Sequence, residues 1–566
     1  MLSRRMVMAL NMLIILSIVM APVFSQTRRS VRSTTVQAED LRVWLNYLAS
    51  DELEGRSTFS EGLGLAAAYI AQELKALGVK PGGDNGSYFQ RVKVLGIKSA
   101  NKSTVTVAVN GTSRTFKDGE GITFPKNVGG RRSLTIDQVE FLGYGLDAPI
   151  INHNDYAGRN VKGKAVIYLG AMGPKGLPQQ SRRQLGGRAR YATDQQQALA
   201  SIGPVIAAGQ GGGGQRQGAG GAGIPSDFTT VQRLDNPIPP MANASDDFFE
   251  FLFSNAEIKY AELKDKAAKQ ESLPIFTLKG VTLTFNLDAD YQIVRTQYTR
   301  NVIGVLEGSD PKLKDTFVTF GAHYDHVGYA EGEVIQGQNG PMRQGSVGRV
   351  KPGAVDDRIW NGADDDGSGS VTLLGVAKAY ASGPKPKRSL MFLWYAGEER
   401  GLLGSRFYAD YSTVPLDRIV ANLNMDMVGR NRDDKADEDN SVYPVGSDRI
   451  STELHNITID ANAALPKPLK LDFEMNDPTD LEQIYYRSDH YSYAAKGIPI
   501  VFFTTGLHGD YHVNTDSPEK INYEKMARIG QLVYETGRRV ANLDHAPKRD
   551  NKGPRMGKGS TGKLAE

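Results

Sequence analysis

The sequence contains no cysteine. That absence excludes disulfides even in an oxidising compartment, excludes a lipid-modified cysteine behind a leader, and leaves imidazole and carboxylate as the groups able to hold a metal. An excess of charge is missing too: 67 Lys and Arg against 64 Asp and Glu leave +3, which gives no field for nucleic acid. Long apolar runs are confined to the start, where Arg4 and Arg5 precede Met6 to Phe24, and Val23-Phe24-Ser25 reads as a cleavage site before Gln26. Residues 1–25 are therefore expected to be a signal peptide and the protein exported to a periplasm or the exterior. An uncleaved membrane anchor is the competing reading, because the run is just long enough to span a bilayer. No membrane contact beyond this segment is expected.

What is present is the length of a multi-domain protein, 566 residues, with ordinary apolar and charged fractions. AEDLRVWLNYLASDELEGR and EGLGLAAAYIAQELKALGV, between 38 and 83, carry apolar residues at helical spacing. From Ser103 the pattern alternates in STVTVAVNGTSRTF, with Asn110-Gly111 as a hairpin signal. Residues 115–285 are different in kind, with short strands such as KAVIYLG and a helical patch near 187–201. The glycine-rich run from 209 to 223 has no side chains to build a core, and lacks the Gly-Lys-Ser/Thr ending of a phosphate loop.

From about 290 to 543 strands and helices alternate. FVTFGAH, SLMFLWYA, IVANLNMDM and IPIVFFTT are nearly continuous apolar runs, as strands buried on both faces require. The expected fold class is α/β, with a mostly parallel, doubly covered sheet. The basic, glycine-rich segment 544–566 is expected to be disordered.

Metal-compatible residues collect at the ends of these strands, where ligands bind in open α/β sheets. His323 and Asp325 end the first, Glu398 and Glu399 follow the second, Asp426 ends the third, and His512 follows the fourth. Asp364, Asp365 and Asp366 stand before a helix. Each has a bland alternative, as a turn, a cap or a solvated pair; their coincidence at five places does not.

GAHYDHVG, GADDDGSGS, AGEERGLLGS, NLNMDMVG and YHVNTDSPEKIN, in this order, resemble the signature blocks of the secreted di-zinc aminopeptidase family, which includes glutamate carboxypeptidase and the transferrin receptor. LASDELEGR and SDHYSYAAKGIPIVFF extend the likeness. The resemblance implies a zinc-peptidase domain in two parts, 38–114 and 290–543, interrupted over 115–285 by a β-rich protease-associated domain.

It implies two zinc ions per chain, replaceable by cobalt or manganese, with His323 and Asp426 on one, Glu399 and His512 on the other, and Asp365 bridging. Asp365 is preferred to its neighbours because its spacing to Ser368 and Gly369 matches the family pattern. Glu398 is implied as the general base and proton donor, since metals lower the pKa of water and an adjacent carboxylate can take its proton. Asp325 is implied to orient the His323 imidazole, and Tyr511 to donate to the oxyanion.

His326 and His490 are expected to hydrogen bond and pack. His153, His455, His508 and His545 are left as non-catalytic, and Arg487 is the sole suggestive partner for a substrate carboxylate. The implied activity is removal of N-terminal residues from peptide substrates. Carboxypeptidase or dipeptidase activity is the alternative within the family; glutaminyl cyclisation on a single zinc, which the fold also hosts, is disfavoured by the complete ligand set; a non-catalytic receptor-like binding protein is the alternative of another class. No oligomeric state is legible in the sequence.

Overall fold

The apolar runs of the second half become the centre of one twisted sheet. The computed structural model describes residues 34–178, 181–205, 225–337, 340–477 and 480–565. The expected leader and the glycine-rich run lie outside the described residues. Among those described, no helix is long and apolar enough to cross a membrane.

The main sheet is built from β1 (Phe89–Asn101), β2 (Ala289–Leu306), β3 (Phe317–His323), β4 (Ser389–Tyr395), β5 (Ile419–Met425), β6 (Ser441–Val445) and β7 (Ile500–Thr504), in spatial order β1-β2-β4-β3-β5-β7-β6. Strands β4, β3, β5 and β7 run parallel, and every residue of β4, β5 and β7 is buried. Among the seven strands named, the parallel pairs join only these four. On the flanks, β1, β2 and β6 are antiparallel to their neighbours; β1 alternates buried with more exposed residues, as a sheet wet on one face allows.

Both faces of the centre are covered. On one, α1 (Ala38–Leu48), α2 (Glu61–Ala76), α3 (Gly369–Ser382) and α6 (Tyr523–Ala541) bury Leu45, Ile70, Leu374 and Leu532 against Phe320 and Phe392. The other is covered by α4 (Leu403–Asp410) and the short helix α5 (His490–Ala494), through Tyr408 and Tyr493 against Met391 and Leu393. Each such aliphatic or aromatic burial contributes roughly 1.5–3 kcal/mol. The Ser60 hydroxyl accepts from the Leu63 amide at the start of α2, satisfying one of the amides a helix leaves unpaired.

A second ten-stranded sheet, made entirely of strands between Thr104 and Leu287, has its own core around Phe141, Phe248, Phe249, Phe253 and Phe285. The hairpin Thr104–Val109 with Thr112–Asp118 belongs to this sheet, so the β-rich unit begins earlier than residue 115. Asn110 and Gly111, with φ of 47° and 89°, make the turn as the sequence suggests. The long strands β1 and β2, paired from Asn101 with Ala289 to Phe89 with Val302, join this unit to the main sheet.

The C-terminal segment departs from the expected disorder. The amides of Arg555 and Met556 donate to Asp448 at 2.6 and 2.8 Å, and Asn456 exchanges hydrogen bonds of 2.9 Å with both main-chain groups of Leu564. Composition points to disorder because apolar side chains are few there. The segment is held instead through its backbone, to the buried Asp448 and the part-buried Asn456.

Candidate metal centre

The carboxyl ends of the parallel strands lie level, so His323 is paired with Tyr395 and the Gly321–Asn424 and Met425–Phe503 pairs stand beside it. The side chains that follow these ends converge. His323 Nε2 lies 3.3 Å from Asp365 Oδ1 and 3.6 Å from Asp426 Oδ2. His512 Nε2 lies 3.0 Å from Asp365 Oδ2 and 3.0 Å from Glu399 Oε2. One carboxylate, Asp365, thus offers one oxygen to each half of the cluster, and all five residues expected as ligands are brought together.

Its two neighbours are engaged in the fold. Asp364 Oδ1 accepts the Gly429 amide at 2.6 Å, whereas Asp366 accepts from the amides of His323, Gly369 and Met427 at 3.1, 2.9 and 3.1 Å. The separation of Asp365 from Asp364 and Asp366 is therefore physical: they tie strand ends together and it faces the cluster.

Glu398 and Glu399 are adjacent but differently placed. Glu398 Oε2 stands 3.9 Å from His323 Nε2. Burial raises the Glu398 pKa well above the ordinary carboxylate range, with Glu399 and Asp426 adding to the effect against the opposing pull of His323. Burial pushes Glu399 up too, but His512 beside it outweighs that and holds it down to about 2. The two adjacent carboxyls are thus shifted in opposite directions.

Asp325 lies beside His323, with its carbonyl nearer the ring than its carboxylate. The nearest acceptor to His323 Nδ1 is the Asp325 carbonyl at 3.0 Å, with the carboxylate at 3.7 Å. That carboxylate accepts from Thr58 Oγ1 at 2.8 Å and from the Glu398 amide at 3.1 Å. The chain turns after β3, which aims the carbonyl at the imidazole and the side chain at the next strand end. Asp325 holds the Glu398 amide with its carboxylate and meets His323 Nδ1 with its carbonyl, its carboxylate standing farther off.

Tyr511 stacks on the His512 ring, with centroids 4.0 Å apart, and its hydroxyl receives a bond from Arg487 Nη2 at 3.2 Å. Arg487 Nη1 donates to Glu482 at 2.7 Å. The His512 loop is clamped from outside by Arg349, whose amide donates to the His512 carbonyl and whose guanidinium donates to the Tyr511 carbonyl, both at 2.7 Å. His490 packs as expected: its Nε2 lies 2.7 Å from the Tyr485 carbonyl, and burial lowers its pKa to about 3.

Sequence reasoning does not single out three residues near the cluster as functional. Asp489, fully buried with both carboxylate oxygens lacking hydrogen-bond partners, is raised to about 7 by burial although His323 opposes this. Asp516 accepts the amides of Asp364 and Asp365 at 3.0 and 3.1 Å and so shapes the bridging turn. His326, expected only to hydrogen bond and pack, enters the cluster with Nδ1 2.9 Å from Glu399 Oε1. The signal for the first two is their place inside the SDHYSYAAKGIP and YHVNTDSPEKIN blocks.

The LASDELEGR motif also finds its role. Arg56, buried beneath the site, donates to the carbonyls of Leu48, Tyr324, Asn361 and Gly362, which ties the first helix to both ligand-bearing turns. Replacing it by methionine leaves four carbonyls without their donor, and a loss of about 3–5 kcal/mol is expected. A fall in the urea midpoint with an unchanged slope measures it.

The donor set fits metal ions. His326 Nδ1 and Nε2, Asp365 Oδ2 and Glu399 Oε1 are buried and have no hydrogen-bond partner, and such groups in a native interior call for an ion or water. Two groups of ligand atoms, one from His323, Asp365 and Asp426 and one from His326, Asp365, Glu399 and His512, each lie within 4.8 Å of one another.

A parallel-centred α/β sheet thus carries a buried cluster of carboxylates and imidazoles, able to hold metal ions, at its strand ends. Residues 301–537 match the family model described as Peptidase family M28. A probable leucine aminopeptidase of Trichophyton verrucosum is 30% identical over 233 residues, 39% of this chain and 54% of the relative. Aminopeptidase YwaD of Bacillus subtilis is 25% identical over 316 residues, 52% of this chain and 58% of the relative. The chain thus spans a little over half the length of these curated relatives. Among solved structures, an aminopeptidase from Aneurinibacillus sp. strain AM-1 aligns over 94% of this chain and 99% of its own, at 17% identity and a TM-score of 0.41.

Proposed function

We propose that the protein is a metal-dependent aminopeptidase that hydrolyses the N-terminal peptide bond of peptides, using two zinc ions held by this cage. The observation that carries the reading is the sharing of Asp365 between two half-cages with the unshared Glu398 beside them. His323 and Asp426 would hold one ion, Glu399 and His512 the other, with Asp365 between. Imidazole and carboxylate donors suit zinc and accept cobalt or manganese. When bound, the metals supply polarisation of the scissile carbonyl and an acidified water.

The chain's own residues do the rest. Glu398, held above the usual glutamate range, takes a proton from the attacking water as the new C–O bond forms, and passes it to the amine nitrogen as the C–N bond then breaks. Asp325 fixes the Glu398 backbone. Tyr511 accepts from Arg487 and so keeps its own hydroxyl proton free to donate to the oxygen that gains charge.

The names of the relatives support the amino end as the point of attack. A carboxypeptidase needs a cation for the substrate's terminal carboxylate, and Arg487 is already bound by Glu482 and Tyr511. A receptor-like protein has no use for a full ligand set with its base. We further propose that residues 1–25 direct export and that the β-rich unit is an inserted protease-associated domain.

The test is a panel of free and N-acetylated aminoacyl p-nitroanilides and peptides. Free substrates are cleaved and blocked ones are not; a chelator abolishes turnover and zinc restores it. Equal cleavage of both kinds would exclude an aminopeptidase.

A further inference from the structure

We propose that His326 is a fourth protein ligand at the metal position of Glu399 and His512, which closes that position, while the position of His323, Asp365 and Asp426 keeps an open place facing Glu398. The inference rests on the two-metal reading above and deepens it by giving the two ions different work.

The geometry carries it. His326 Nδ1 lies 2.9 Å from Glu399 Oε1 and 3.7 Å from Asp365 Oδ2, and His512 Nε2 completes the set at 3.0 Å from Asp365 Oδ2 and from Glu399 Oε2. The edges of a tetrahedron around zinc, with bonds of about 2.0–2.2 Å, are about 3.3–3.6 Å. The observed separations bracket that range.

Packing alone does not account for the ring. His326 is 1% exposed, and neither ring nitrogen has a hydrogen-bond partner; Glu399 Oε1 has none either, although it is the nearest polar atom. At 2.9 Å a ring N–H directed at that oxygen would form an ordinary bond. The two atoms are close but not aimed at each other, which is the arrangement of neighbouring ligands directed at a common third point. Leaving such buried groups unsatisfied costs about 1–3 kcal/mol each, and a cation beside Nδ1 satisfies that nitrogen and Glu399 Oε1 together.

The ring is held in this pose from behind. The His326 amide donates to the Arg56 carbonyl at 3.1 Å. Its Cγ and Cδ2 lie against Gly362, where a Cβ would come within 2.5 Å of both atoms. Its edge meets the His512 ring, with centroids 5.6 Å apart. Glycine at 362, with φ of 57°, thus serves both the left-handed turn and the space for the imidazole.

The other position has three protein ligands, His323, Asp365 and Asp426, and Glu398 is next to it. Zinc sites closed by four protein ligands serve structure, whereas those that keep a place open serve catalysis. The closed position therefore anchors Asp365 and the His512 loop, and the open one presents the reacting water to Glu398.

The test titrates metal-free full-length protein with zinc and with cobalt(II), in wild type, His326→Ala and His326→Gln. Wild type takes two ions. In either variant one binding event is expected to weaken by at least about 100-fold, since loss of groups that merely orient a ligand already costs 10–100-fold. The visible cobalt spectrum of that position should change as its ligand number falls, with the other position unaltered.

Zinc-edge X-ray absorption of the loaded wild type should fit three imidazoles shared by two ions. That measurement decides the matter on its own if the variants do not fold. Two wild-type affinities and an unchanged cobalt spectrum in the variants, or two imidazoles in the wild type, would overturn the assignment of His326 alone. A wild type that binds fewer than two ions would overturn the two-metal reading beneath it.

Discussion

Replacing Glu398 by alanine should lower kcat by roughly 10²–10⁴-fold, the usual contribution of a positioned acid–base group, while zinc content stays at the wild-type value. The two halves of this result belong together. Glu398 Oε2 is 3.9 Å from the nearest cage atom named for it, His323 Nε2, and its carboxylate is in neither ligand group. Its loss should remove proton transfer without opening the cage.

The same environment sets the acid side of the pH profile. Burial, with Glu399 and Asp426 nearby, raises the Glu398 pKa against the pull of His323. A base works only when deprotonated, so a raised pKa moves the acid limb of kcat/KM upward from the ordinary glutamate value, and activity is lost as pH falls through it. Glutamine at 398 should abolish that limb together with the activity. Metal analysis beside steady-state kinetics checks both; loss of zinc in the alanine variant would instead make Glu398 a ligand.

Replacing Asp365 by asparagine should have the larger effect on metal. Its Oδ1 is 3.3 Å from His323 Nε2 and its Oδ2 is 3.0 Å from His512 Nε2, so this one side chain serves both half-cages. Neutralising it weakens both ions, whereas a change at Asp426 or Glu399 strikes mainly one. Activity should fall roughly a thousand-fold or more, since a Lewis-acid contribution of several kcal/mol is lost at about 1.4 kcal/mol per tenfold.

Stability should respond as well. Ligands that bind only the native state stabilise it by RT ln(1 + [L]/Kd), about 4 kcal/mol at a thousand times Kd. Wild type should therefore melt at a higher temperature as free zinc rises, and Asp365→Asn should show little of that dependence. A variant that kept both ions and the full zinc-dependent Tm shift would exclude the bridging role.

Much of this site is legible in the order of residues. The four apolar runs mark strands buried on both faces, and the donors stand immediately after them, because catalytic groups are carried at strand ends in this architecture. The choice of Asp365 within Asp364-Asp365-Asp366 rests on resemblance at the level of sequence, and the hydrogen bonds of its neighbours give it a physical basis.

Other features are hidden for definite reasons. His326 follows His323 by three residues, which in a continuing strand would put the two side chains on opposite faces. The strand ends at His323, and the turn after it swings His326 back to the cluster. The Asp325 carboxylate reads as a partner of His323 from spacing alone; only the path of the chain shows that its carbonyl takes that place. The C-terminal segment looks disordered by composition, since its binding runs through main-chain amides that composition does not report.

By itself, the sequence determined the chemistry: without cysteine the cage had to be imidazole and carboxylate, and the order of strands determined which residues could supply it. Tertiary structure decided the distances. Whether Glu398 or Glu399 joins the cage, whether Asp325 holds a ring or a backbone amide, and whether His326 packs or ligates are separated by an ångström or two. Those ångströms are set by how helices from the two ends of the chain pack on one sheet, which no local pattern of residues records.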